Sequence, residues 1–95
     1  MKVAKVIGNI WATRKEEKLA GYKLLIVQPV NILDGSDDKL PIVAVDMIGA
    51  GVGEKVLIVN GSSARGAVGN QDVPVDAAVV GIVDDQEIDR EFLSD

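Results

Sequence analysis

Ninety-five residues suffice for one domain, which at this size buries roughly two-thirds of its unfolded surface, and they leave no room for a second. Hydrophobic residues make up 47% of the chain and aromatics 3%, so the core is expected to be built from Val, Ile, Leu and Ala, side chains that suit a pleated sheet. The chain has neither cysteine nor histidine, which removes disulfides, thiolate chemistry and Ser-His catalysis. The net charge of −5 argues against a surface that tracks a phosphate backbone.

Lys2 to Thr13 alternates as a first strand, with Ala4, Val6, Ile10 and Ala12 on one face and Lys5, Asn9 and Thr13 on the other, and with Gly8 permitting a bulge. It lacks the continuous apolar segment of a signal peptide, and no run approaches the ~20 apolar residues of a membrane span, so a cytoplasmic protein is expected. Arg14 to Gly21 is a polar loop. Tyr22 to Val27 is a second strand, limited in its pairing by Pro29. Asn31 to Lys39 contains Asp34-Gly35-Ser36-Asp37-Asp38, a surface turn without the residue order of a calcium loop.

Pro41 to Ile48 forms a third strand interrupted by Asp46, which either faces solvent or pairs with a base such as Arg65. Glycines 49, 51 and 53 lead to a fourth strand, Lys55 to Asn60. Gly61 to Val75 shows no alternation, carries Gly61, Gly66 and Gly69 and closes on Pro74, so it is read as a loop whose length points to function. The fifth strand is Asp76 to Val83. Residues 84–95 form an acidic tail with Asp84, Asp85, Glu87, Asp89, Glu91 and Asp95 against Arg90 alone, a solvated face in which Ile88 and Phe92 have the spacing of a short helix docked on the body. Residues 1–83 balance nine acids with nine bases. Trp11, Tyr22 and Phe92 are expected to be packing anchors, being too few for a stacking platform on single-stranded nucleic acid.

Five short strands with turn-rich connections predict a sandwich or a small closed barrel. The runs Leu24–Val27, Ile42–Val45, Val56–Val59 and Ala77–Val80 are apolar on both faces, although a barrel has only one interior. Without a long helix to cover the outside, neighbouring subunits are the expected cover, and the chain is expected to be an oligomer.

Two motifs carry apparent chemistry. Gly49-Ala50-Gly51-Val52-Gly53-Glu54 superficially matches a dinucleotide fingerprint, but a strand follows where a helix is needed, leaving an inter-strand connection with glycines at positive φ. Gly61-Ser62-Ser63-Ala64-Arg65 offers hydroxyls and a cation but no identifiable base, so it is read as a structural loop with Arg65 available to a carboxylate across a subunit boundary. No residues have metal-ligand spacing, and no cofactor is expected.

The order of five motifs adds a resemblance. Val6-Ile7-Gly8-Asn9-Ile10-Trp11-Ala12-Thr13 is followed by Leu19 to Pro29, by Val43-Ala44-Val45-Asp46 leading into the glycine loop, by Gly61 to Arg65, and by Val75 to Asp84. Across almost the whole chain this closely resembles the EutN/CcmL family of bacterial microcompartment vertex proteins. The resemblance implies an all-β fold, a five-stranded OB-like barrel over residues 1–83, assembled as a homopentamer. Such a ring sits at the fivefold corners of a polyhedral shell in the cytoplasm, against hexameric shell proteins, as a structural part and not an enzyme. It also makes Gly49, Ala50, Gly51, Gly53 and Glu54, with Gly61, Ser62, Ser63, Ala64 and Arg65, candidates for the subunit interface or the rim of an axial opening. An OB-type nucleic-acid-binding module is the alternative that the barrel permits, against acidity and scarce aromatics.

Overall fold

The computed structural model describes residues 1–13 and 15–93, so Arg14 of the first loop and Asp95 of the acidic tail lie outside the described residues. Five strands appear where alternation and apolar runs predict them: β1 (Lys2–Ile10), β2 (Lys23–Pro29), β3 (Ile42–Asp46), β4 (Lys55–Asn60) and β5 (Ala77–Ile82). They close into a barrel in the order β1-β2-β3-β5-β4, antiparallel throughout except for β3 beside β5. Every strand has a neighbour on both sides, though β3 and β5 meet only where Val45 pairs with Ala78 and Asp46 with Val79.

The barrel interior explains the composition. Ala4, Ala44 and Ala77 interleave with Val6, Leu25 and Ile58, all with 3% exposure or less. Five strands enclose a space narrow enough for small and branched aliphatic chains to fill without rings. Among the described residues Gln28 is the buried polar side chain, and it is satisfied: its Nε2 donates to the carbonyls of Pro29 at 2.9 Å and Lys39 at 2.6 Å.

A bulge in β1 corrects part of the expected facing. The register against β2 slips between Val6 and Gly8, after which Asn9 lies opposite Leu25 and Ile10 opposite Leu24. One inserted residue reverses the parity of everything beyond it. Ile10 therefore joins the outer face of Leu24, and Asn9 takes the inner side that Ala4 and Val6 occupy lower down.

Gly61 to Val75 is a second correction, because it is not irregular throughout. Residues Gly61–Val68 form a helix, α1, that ends at Gly69 with φ +87°. The Gly69 N–H donates to the carbonyls of Arg65 and Gly66, a left-handed stop that glycine adopts without penalty. Ala64 and Val68, one turn apart, rest with Val73 and Val75 on the outer side of Val45 and Ala78. The chain thus covers a large part of its own outer sheet, and neighbours are not the sole source of cover.

The C-terminal helix is a single 3₁₀ turn, Arg90–Phe92, and it does not dock through Phe92, which is 83% exposed. The Asp89 side chain accepts the Glu91 N–H at 3.0 Å, a local bond that competes with continued helix. Side chains tie the tail to the loop after β2 instead: Gln86 Nε2 donates to the Ile32 carbonyl at 2.6 Å and Arg90 Nη2 to that of Leu33 at 3.4 Å. Of the three aromatics expected to anchor packing, only Tyr22 does so, in the outer cluster beside Leu19 and Leu24. Trp11 stands 87% exposed just beyond β1.

Candidate functional site

The loop from Gly49 to Glu54 is a tightly folded connection from β3 to β4. Asp46, at the end of β3, is half-exposed and accepts the N–H groups of Ile48 and Gly49 on one oxygen at 3.1 and 3.0 Å, so it caps its own turn and does not meet Arg65. Gly51 N–H donates to Glu54 Oε1 at 2.6 Å, and Gly53 N–H donates to the Val6 carbonyl at 2.8 Å. The amides a nucleotide would need are thereby occupied by the loop itself and by β1. Gly49 and Gly53 have φ of +80° and +93°, as a turn of this kind requires. Ala50 is fully enclosed in the barrel core and its carbonyl accepts Lys23 Nζ at 3.2 Å. It can shape the loop but has no surface to offer a partner.

The second candidate set opens α1. Gly61, at φ +60°, donates its N–H to the Asp76 carbonyl at 2.8 Å and so seats the helix start against β5. Ser62 and Ser63 are exposed on the first turn, and Ala64 is buried against Val73, Val75 and Ala78. Arg65 is half-buried and reaches the Val75 carbonyl through Nη1 at 3.3 Å. Within one subunit its work is to hold the returning segment 70–76 to the helix. The two loops are not brought together: they lie at opposite ends of the six-residue β4, about 20 Å apart at ~3.3 Å per residue. No three His, Cys, Asp or Glu residues among those described are placed to hold a metal ion. Among the described residues no helix is long and apolar enough to cross a membrane.

What sequence reasoning missed is where the apolar surface stays uncovered. Outside the area covered by α1, the row Gly8, Ile26 and Val43 crosses β1, β2 and β3 on the outer face, with Val43 42% exposed and Ile7 46% exposed. Beside Val43 opens a groove of about 150 Å³, walled chiefly by Leu19, Leu24, Val45, Pro74 and Val75. A wider hollow of about 470 Å³ lies at the far end of the β1–β2 hairpin, lined by Trp11, Ile10, Tyr22 and Leu24 among others. The position of Ile10 and Trp11 in an alternating strand carries the signal, but the bulge inverts it.

The family model described as ethanolamine utilisation protein EutN/carboxysome matches residues 1–84. The chain belongs to the EutN/CcmL family. It is similar to the carboxysome shell vertex protein CcmL of Nostoc sp., at 45% identity over 84 residues, 88% of this chain and 83% of that one. It is also similar to the bacterial microcompartment shell vertex protein GrpN of Rhodospirillum rubrum, at 48% identity over 90 residues, 92% of this chain and 97% of the other. The solved structure of the Rhodospirillum rubrum protein, described as a pentameric microcompartment shell protein, superposes with a TM-score of 0.82 at 44% identity, over 93% of this chain and 100% of that chain. These EutN/CcmL relatives bear the names of structural shell components, and the resemblance drawn from the five ordered motifs stands.

Proposed function

We propose that this chain is the subunit of a homopentamer that closes the vertices of a bacterial microcompartment shell, in contact with hexameric shell proteins and with no chemistry of its own. The observation that carries the reading is a closed barrel that still leaves apolar outer surface bare, at Ile7 and Val43. These side chains stand on the outer face of the sheet and not along a strand edge, so this surface answers to another subunit and not to β-augmentation. Membership of a family whose solved relative is described as pentameric supplies the number.

The two candidate loops take different places in such a ring, because β4 holds them at opposite ends. Gly49, Gly51, Gly53 and Glu54 belong to one end of the barrel, and Gly61, Ser62, Ser63 and Arg65 to the other. Ala50 and Ala64 act from beneath by fixing loop shape. Native mass spectrometry tests the assembly: a species of about 50 kDa is expected, five times the 10.0 kDa chain. A persistent monomer or dimer at micromolar concentration and low salt overturns the reading.

A further inference from the structure

Two of the bare apolar places adjoin one another on either side of Leu24, which lines both. The first is the groove beside Val43 on the outer side of β2 and β3. The second surrounds Trp11, whose indole is 87% exposed at the end of the β1–β2 hairpin. A closed ring of identical subunits uses heterologous contacts, in which each copy offers one surface to its left neighbour and a different one to its right. Tryptophan is the residue most often found as the energetic anchor of such contacts, seated in a pocket ringed by weaker ones. We propose that Trp11 of one copy seats in the Val43 groove of the next copy, so that the hairpin end and the groove are the two halves of each junction. This rests on the ring reading above and assigns it the residues.

The chemistry of the groove fits an indole. Its lining is aliphatic apart from Asp76, the only acid among its described members. An indole is a large apolar plate with one polar atom, the Nε1–H, which donates but cannot accept and takes a partner when buried. The Asp76 carboxylate is an acceptor at the groove edge. Ser, Asn or Lys walls would suit the plate less, and a base in place of Asp76 would leave the indole N–H unmet.

Trp11 is the sole tryptophan, so the wild-type protein carries its own probe. Intrinsic emission is recorded alongside native mass spectrometry across a dilution series. Emission in the pentamer is expected at shorter wavelength than in dissociated subunits, with a loss of quenching by iodide. A pentamer whose tryptophan emits and quenches as exposed sinks this inference and leaves the ring reading standing; failure of the wild type to form pentamers sinks both. Complementation supplies the second arm. Trp11→Asp and Val43→Glu, each shown folded by circular dichroism, are expected to lose the pentamer when alone. Mixed one to one they retain a single intact junction, the hairpin of the Val43→Glu copy in the groove of the Trp11→Asp copy. A heterodimer is expected, with the remaining tryptophan blue-shifted. Two variants that stay monomeric on mixing, or that still form pentamers singly, overturn the pairing.

Discussion

Asp34 shows at the smallest scale how local bonding sets ionisation. The Ser36 hydroxyl donates to its carboxylate at 2.6 Å and the Ser36 N–H at 2.9 Å, and these bonds hold the Asp34 pKa below its ordinary value. A carboxyl depressed in the folded state stabilises the fold above its unfolded pKa, and that contribution fades as pH falls through the folded value. Ser36→Ala is therefore expected to raise the Asp34 pKa toward its ordinary value, read by NMR titration, and to shrink the part of the stability that acid removes. Gly69 is a sterner case. A Cβ there meets no neighbouring atom within 4 Å, yet φ is +87°, so Gly69→Ala is expected to cost about 1 kcal/mol through backbone strain alone, measured by urea unfolding. Ile58 is wholly buried in the barrel, and Ile58→Ala is expected to cost ~2–5 kcal/mol by the same measurement.

At the level of elements, α1 is the piece that local pattern underspecifies. Its Gly61 and Gly66 lower helix propensity, and eight residues are too few to be helical unaided. Signals existed: Asn60 at the cap, Ala64 and Val68 one turn apart, and Gly69 as a stop, yet each is weak beside the glycine count. The helix persists because Ala64 fits flush against Ala78 and Val75, which predicts that volume matters there. Ala64→Leu is expected to destabilise by roughly 1–3 kcal/mol through overpacking and to loosen the segment 70–76, seen as faster amide exchange. Arg65→Glu removes the bond to the Val75 carbonyl, so it too is expected to disturb this segment before it disturbs any ring. The acidic tail departs from the expected docked helix for a related reason: Asp89 turns the chain locally, and Phe92 finds no apolar seat on the subunit.

Over the whole molecule, five strands, their order along the chain and the aliphatic core were legible because period-two alternation, turn residues and the scarcity of rings all speak locally. The surplus of apolar surface was legible as well, since two-faced runs such as Leu24–Val27 state it in plain composition. The nucleic-acid alternative draws nothing from the relatives, whose names are those of shell components. What only the tertiary structure decided is where the surplus goes. The bulge at Ile7 and Gly8 turns Ile10 outward, α1 folds back over Val45 and Ala78, and part of what stays exposed lies around Val43 and Trp11. Those outcomes depend on register across strands distant in sequence. A one-residue slip exchanges inside for outside, and no local pattern records which strand a helix will lie upon.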